Sequence, residues 1–372
     1  MKVVLAFDKF KGSATATQLN AAARDALNDI EGLTVVTVPV ADGGDGTTSV
    51  LAAAMQGTWI TAPAMPPLLN LPPVQASYFL CNDCTALIEV AAASGLTLIP
   101  TDARDIMRAN SLGTGLLIRD AIEHGAQHII LGLGGSATCD AAMGIMCALG
   151  AEFLDANGHY LFPCGESLGK ISHIETAGIP QAIKDCRFTL LTDVDNTLNG
   201  PQGAARIYGP QKGASPEQVE LLDTGLAHIA DMVGNDIACK PGCGAAGGIP
   251  ALMMHLLECE LLPGGPYVLS MGGMSQALDG TDLVITGEGR LDKQTLMGKG
   301  PGCVFAMARN RRIPVAAVCG IVDPDFDSID AGLYAAVAVS EGLPEDLAMD
   351  TDTTVARVAQ AVKKLITAFL NA

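Results

Sequence analysis

The chain is short of charge and of aromatic rings. Only 17% of its 372 residues are Asp, Glu, Lys or Arg, only 4% are Phe, Trp or Tyr, and there is one tryptophan. Positive charge is scarcest: 22 Lys and Arg stand against 40 Asp and Glu, a formal net charge of −18. That balance argues against nucleic acid or an anionic membrane as partner, since both require basic patches. No apolar run reaches the ~20 residues of a bilayer span. The opening MKVVLAFDKF enters a strand at once and lacks the apolar stretch and cleavage site of a secretory leader. The expectation is a cytoplasmic protein with neither membrane nor nucleic-acid partner. Several catalytic signatures are also missing. There is no H-E-x-x-H, no Ser-His-Asp pattern, no G-x-x-x-x-G-K-[ST] and no protein-kinase motif set. The six histidines lie outside every glycine-rich motif.

Cysteine is plentiful but odd in number, at 11. With no leader this points to reduced thiols, most of them small buried hydrophobes. Cys81 and Cys84 form a C-x-x-C and Cys239 and Cys243 a C-x-x-x-C, which leaves a zinc site open. Their flanks resemble neither zinc knuckles nor a thioredoxin site.

What is abundant is apolar residues, 49%, and glycine, 42 residues. Short apolar runs lead into turns that combine glycine with acid and base. Val3 to Phe7 leads into DKFKGSATA, Leu33 to Val40 into ADGGDGT, and Asp282 to Thr286 into TGEGRLDKQT. Strand, glycine-rich turn, then helix is how α/β folds build anion sites, because unpaired N–H groups at the helix start point outward. Lys9, Lys11, Gly12 and Ser13 are candidates for phosphate or carboxylate binding. Asp42 and Asp45 suit Mg²⁺, which takes oxygen ligands and keeps waters. Glu288, Arg290, Asp292 and Lys299 make the third motif denser than a structural turn needs.

The middle of the chain offers three more motifs. Gly132 to Ala137 matches the dinucleotide pattern G-x-G-x-x-A, with Glu152 or Asp155 about 20 residues on. Gly134, Gly135 and Ser136 are therefore candidates for holding a nucleotide or substrate. Asp193, in DVDN at a strand end, is either a base, a metal ligand or an Asx-turn. Lys212, in GPQKGA, is a candidate phosphate contact from a rigid turn.

The element pattern predicts α/β architecture. The first 50 residues read β-α-β, and the last hundred repeat that style, closing with a helix carrying Val355, Val358, Val362, Ile366 and Phe369 at helical spacing. A Pro-rich stretch, Ala62 to Pro73, reads as a linker. The economical arrangement is one doubly wound, parallel-sheet domain from residues 1–65 and 276–372, with a second α/β domain, 66–275, inserted. Ligands in such sheets sit beyond the carboxyl ends of strands, and the inserted domain would supply the other wall of a cleft.

Nine motifs in order resemble those of the bacterial glycerate kinase family, in its 2-phosphoglycerate-forming type. They are DKFKGS, ADGGDGT, EVAAASGL, SLGTGLLI, GLGGSATCD, DVDN, GPQKGA, GAAGG and TGEGRLDKQT…GK, spanning Asp8 to Lys299. The resemblance implies a split flavodoxin-like domain with an inserted α/β domain. It also implies transfer of the ATP γ-phosphoryl group to D-glycerate with Mg²⁺. Two places depart from the family pattern. Cys139, Ala141 and Ala142 stand where an Asn and a Gly pair are common around the acid, and Thr197 follows DVDN where Pro is usual.

Within that reading, Lys9 and Lys11 face the transferring phosphate or the glycerate carboxylate, and Asp42, Asp45 and Asp292 are candidate Mg²⁺ ligands. Asp193 is the candidate base, and Arg290 steadies charge on the γ-phosphoryl group. Nucleotide or substrate contacts fall to Gly12, Ser13, Gly134, Gly135, Ser136, Lys212, Glu288 and Lys299. Monomer and homodimer both stay open. An NAD-dependent hydroxyacid dehydrogenase would account for the G-x-G-x-x-A match but leaves the Lys- and Asp-bearing turns unexplained. A non-catalytic binder of a small anionic metabolite would bind without turnover.

Overall fold

A computed structural model describes residues 1–293, 295, 300–328 and 331–371. The chain packs as two compact units. One comprises Met1–Asp42, Ser49–Ala54 and Gly264–Ala372, the other Gly43–Thr48 and Met55–Pro263.

The first unit is built on an all-parallel five-stranded sheet. Its spatial order is Thr34–Thr37, Lys2–Phe7, Leu283–Gly287, Val315–Cys319, Ala335–Ala338. Counted along this unit, that is the flavodoxin-like order 2-1-3-4-5. Strand Lys2–Phe7 lies inside the sheet, between Thr34–Thr37 and Leu283–Gly287, which explains the unbroken apolar run Val3 to Phe7: both faces are covered. Val3, Leu5 and Phe7 pack with Leu19, Ala23, Val358, Val362 and Ile366, from helices Ala16–Asp25 and Thr351–Leu370. Val4 and Ala6 point the other way, onto Leu269, Met274, Val304 and Ala308. The period-2 alternation of strand side chains thus serves two cores.

The helix Ala16–Asp25 begins where its chemistry dictates. Thr15 accepts from the Gln18 N–H while the Gln18 side chain returns to the Thr15 N–H, a complete capping box worth roughly 1 kcal/mol. Helix Thr351–Leu370 starts at Asp350, whose carboxylate accepts from the Thr353 N–H at 2.7 Å.

The second unit carries a six-stranded sheet in the order Gly57–Ala64, Val74–Cys81, Thr85–Glu89, His128–Gly132, Arg187–Thr192, Cys259–Pro263. The last four run parallel, and the first two pair antiparallel. The Pro-rich stretch is therefore only partly a linker. Ala62–Ala64 complete strand Gly57–Ala64, and Pro63 is tolerated because that strand is at the sheet edge. Packing accordingly divides the chain at 54/55 and 263/264, not near 65 and 275. It also gives Gly43–Thr48 to the second unit, a detour that composition does not signal.

None of the 11 cysteines is in a disulfide. Among the described residues no group of three or more His, Cys, Asp or Glu is arranged to hold a metal, and no helix is long and apolar enough to cross a membrane.

Candidate active site

In the first unit the chain's direction of travel reverses between strands Lys2–Phe7 and Leu283–Gly287. Their neighbours lead away on opposite sides, the arrangement at which sheets of this kind bind ligands beyond the carboxyl ends of the strands. Phe7 lies opposite Gly287, and the Asp8 N–H donates to the Gly287 carbonyl at 2.9 Å. Asp8 and Glu288 therefore emerge side by side at this switch point.

Asp8 is 6% exposed, and its Oδ1 accepts from the Lys9 N–H at 2.6 Å. Burial, and then the charges of Asp42 and Glu288, push its carboxyl up to about 7, against the opposing charge and N–H of Lys9. A carboxyl so placed exchanges its proton near neutrality, which is unusual and typical of functional sites. Lys9 Nζ lies 3.8 Å from Asp42 Oδ1, and both side chains are partly exposed. The sequence reading named Lys9, Asp42 and Glu288 but passed over Asp8. A charged residue directly after the unbroken apolar run Val3 to Phe7 was the available signal.

The rest of the first motif departs from expectation in its geometry. Gly12 and Ser13 do not sit at a helix start, since that helix begins at Ala16. They belong to a tight turn in which the Ser13 and Ala14 N–H groups both donate to the Phe10 carbonyl. The Ser13 hydroxyl donates to Thr354 Oγ1 at 2.6 Å, and its carbonyl accepts from Thr351 Oγ1. The helix-terminal amides assumed for this pair are thus not there. Lys11 is exposed on the same turn, with no ion pair or hydrogen bond among the described residues. Arg290 is exposed too, and its guanidinium meets Asp323 Oδ2 at 2.6 Å, which raises its already high affinity for a proton. Asp292 and Thr295 cap each other: the Asp292 N–H donates to Thr295 Oγ1 and the Thr295 N–H to Asp292 Oδ1, both at 3.1 Å. Lys299 lies outside the described residues.

In the second unit, the carboxyl ends of strands Thr85–Glu89, His128–Gly132 and Arg187–Thr192 bring together three motifs. Gly43 packs against the backbone of Leu191 and Thr192, and a Cβ on Gly134 would come 2.3 Å from Gly44 Cα. Only glycine permits that approach. The Gly134 N–H donates to the Gly43 carbonyl at 3.3 Å. A Cβ on Gly135 would lie 2.2 Å from Asp45 Oδ1, so the Asp45 carboxylate rests on this glycine. Glu89, at the end of its strand, accepts from the Gly46 N–H at 3.1 Å and the Thr48 N–H at 2.7 Å. It ties the ADGGDGT loop to the sheet, and burial raises its carboxyl above the usual range.

The Gly132 to Ala137 segment fails the structural context of a dinucleotide fingerprint. The helix that follows does not open on its glycines but at Met143, with Leu133 to Ala142 intervening, and Glu152 sits in a separate two-stranded ribbon. Asp155 is engaged in its own turn, accepting from the Asn157 and His159 N–H groups. Asp140 is fully buried, and its Oδ2 accepts from the Ser111 N–H and Oγ at 2.8 Å each and from the Gly144 N–H at 3.1 Å. Ala141 and Ala142, where the family pattern has glycines, adopt φ of 49° and 70°. That left-handed backbone explains why glycine is the usual choice.

Lys212 is not a surface phosphate contact. It is 5% exposed, and its Nζ donates to Ser136 Oγ and to the Thr138 carbonyl, both at 2.8 Å. Burial pulls its ammonium down to about 8. Asp193 is exposed at the end of strand Arg187–Thr192. Nearby, Tyr208 donates to Asn196 Oδ1 at 2.6 Å, and Asn196 Nδ2 to the Gln202 carbonyl at 2.8 Å.

A flavodoxin-order sheet with acid and base at its switch point defines a ligand-binding α/β protein equipped for proton and charge chemistry. Comparison with known proteins narrows the class. Residues 3–369 match the glycerate kinase family, and the chain belongs to that family. It is 41% identical over 335 residues to the glycerate 2-kinase of Escherichia coli strain K12, covering 87% of this chain and 86% of the relative. It is 36% identical to the glycerate kinase of Bacillus subtilis strain 168 over 100% of both chains. The crystal structure of a glycerate kinase 2 from Salmonella typhimurium LT2 superposes with a TM-score of 0.85 at 35% identity, covering 100% of this chain and 98% of that one.

Proposed function

We propose that the protein transfers the γ-phosphoryl group of ATP to the 2-hydroxyl of D-glycerate, giving 2-phosphoglycerate and ADP in a Mg²⁺-dependent reaction. The observation that carries this reading is the group at the first unit's switch point: Asp8, Lys9, Asp42 and Glu288, placed where such sheets bind ligands, in a chain of the glycerate kinase family. Assignment to the 2-position follows the E. coli relative's name.

Phosphoryl transfer requires mainly positioning and neutralisation of charge, with a base to take the acceptor hydroxyl's proton. Lys9 and Lys11 supply positive charge for phosphate or the glycerate carboxylate. Lys11 suits this because it is exposed and pairs with no acid among the described residues. Asp193 and Asp8 are the two candidate bases. Asp193 is accessible at its strand end, whereas Asp8 has the proton affinity a base needs near neutrality. Arg290 is a cation for the γ-phosphoryl oxygens once it exchanges Asp323 for them.

The carboxylates present fit Mg²⁺ in their chemistry. The ion takes one or two protein oxygens and completes its shell with water and substrate phosphates, so a cage of three side chains is not required. Asp42, Asp45 and Asp292 are the candidate ligands, and the carboxylates crowded around Asp8 are a field a divalent cation would relieve. When bound, the ion neutralises charge on the nucleotide phosphates.

The test is ADP release by purified protein with ATP, Mg²⁺ and D-glycerate, with identification of the product. Glycerate-dependent turnover to 2-phosphoglycerate is expected. A 3-phosphoglycerate product would keep the kinase and overturn the orientation of glycerate. Absence of turnover with D-glycerate would sink the reading.

A further inference from the structure

The contact between Lys212 and Ser136 fixes the direction of a hydrogen. An ammonium has three donors and no acceptor. With Lys212 Nζ donating to Ser136 Oγ at 2.8 Å, the serine oxygen is the acceptor, and its own hydrogen points elsewhere. Among the described residues nothing accepts that hydrogen, although Ser136 is only 5% exposed. Buried hydroxyls are rarely left with a donor unused. The backbone around it is tied down on both sides: the Gly135 carbonyl accepts from the Leu96 N–H at 2.8 Å, and the Ala137 N–H donates to the Ser94 carbonyl at 2.9 Å. Gly135, one residue earlier, is exposed, and the Asp45 carboxylate beside it shows that an oxygen fits against this turn.

We propose that Ser136 is a ligand-contacting donor, oriented by Lys212, that gives its hydrogen to a phosphate or carboxylate oxygen of a bound substrate. Lys212 is then a positioning residue. It never meets the ligand and acts by occupying the lone pair that would let the serine turn inward, while its second bond, to the Thr138 carbonyl, holds the turn in place. Burial pulls Lys212 down to about 8, still above neutrality, so the ammonium form that fixes the donor direction is the major one at pH 7. This inference rests on the reading of the Gly134–Ser136 turn as a ligand contact.

The experiment is calorimetric binding of ATP and, separately, of D-glycerate to Ser136→Ala, Ser136→Thr, Lys212→Met and the double variant, with melting temperatures and wild-type turnover measured alongside. A lost hydrogen bond to a charged oxygen is expected to weaken one of the two ligands roughly tenfold or more in Ser136→Ala, with a melting temperature lowered by a few degrees because the buried Lys212 ammonium loses an acceptor, a loss that Ser136→Thr should largely restore. The ligand that weakens identifies whether phosphate or carboxylate is the acceptor. Ser136→Thr, which keeps the hydroxyl, is expected to restore most of the affinity. In the Lys212→Met background Ser136→Ala should cost far less, since the hydroxyl is no longer held outward. Should Lys212→Met not fold, the Ala and Thr pair decides the matter. Unchanged affinity for both ligands in Ser136→Ala, or equal loss in Ala and Thr, overturns the proposal. Wild-type protein that binds both ligands without turning them over removes the kinase reading and leaves the Ser136 comparison intact.

Discussion

Replacing Asp8 by Asn should stabilise the protein, by an amount that depends on pH in a defined way. The Asp8 carboxyl has an ordinary value of 3.8 and sits at about 7 in the fold, mainly through burial and then through Asp42. A carboxyl whose proton affinity is raised by folding penalises the folded state once the unfolded chain has released its proton. The penalty is absent well below 3.8, grows as pH rises and is complete above about 7. A shift of about 3 units corresponds to a ceiling of about 4 kcal/mol, at ~1.4 kcal/mol per unit. At pH 5 only about 1.7 kcal/mol of it is in force, since the unfolded group is already ionised there and the folded one is not. Asparagine keeps the oxygen that accepts from the Lys9 N–H at 2.6 Å and removes the charge. Urea unfolding of both proteins, without divalent ions, should therefore show a stability gain about 2.5 kcal/mol larger at pH 8 than at pH 5. Subtracting wild type at each pH cancels every other titrating group that behaves alike in both. A gain independent of pH would refute the argument, because loss of a buried charge is the only source of the pH term. Activity should fall in the same variant if Asp8 is the base, and stay high if Asp193 is.

Three further outcomes follow from the geometry. Ala142→Gly should raise stability by about 0.5–1 kcal/mol, because relief of a left-handed Cβ outweighs the extra freedom of the unfolded chain; a lower melting temperature would contradict it. Glu89→Ala should lower stability by about 2 kcal/mol, since the Gly46 and Thr48 N–H groups lose their acceptor, and unchanged thermal unfolding would show that water replaces the carboxylate at no cost. Lys11→Ala should leave stability within about 0.5 kcal/mol while cutting glycerate-dependent turnover at least tenfold, and full activity would remove Lys11 from the reaction.

What could be read before any coordinates was local. An unbroken apolar run such as Val3 to Phe7 announces a strand covered on both faces, and the coincidence of glycine, acid and base marks its carboxyl end as a place of interest. What could not be read depends on residues far apart in the chain. Ser13 looks like a phosphate ligand until Thr354, 341 positions away, is found holding its hydroxyl. Lys212 looks like a surface cation until Ser136 and Thr138 are found around it. The unusual proton affinity of Asp8 was not legible for a related reason, since it comes first from burial and then from Asp42 and Glu288, and no window of sequence shows either. The departures at Ala141 and Ala142 were visible as substitutions, but only backbone torsions show that they strain a turn.

The order of the first sheet has a consequence for how the protein is made. Val3 pairs with Leu283, and the Lys2 N–H donates to Asp282 across 280 positions. The first strand leaves the ribosome long before its central neighbour exists, and its all-apolar side chains must wait. The second unit, continuous from Met55 to Pro263, can form in that interval. Its completion would shorten a very long loop, although its first and last strands lie at opposite edges of its sheet, and pairing strand Lys2–Phe7 with Leu283–Gly287 is the late, non-local step that such a topology makes slow. Until then the early segment is exposed to chaperones and to its own aggregation.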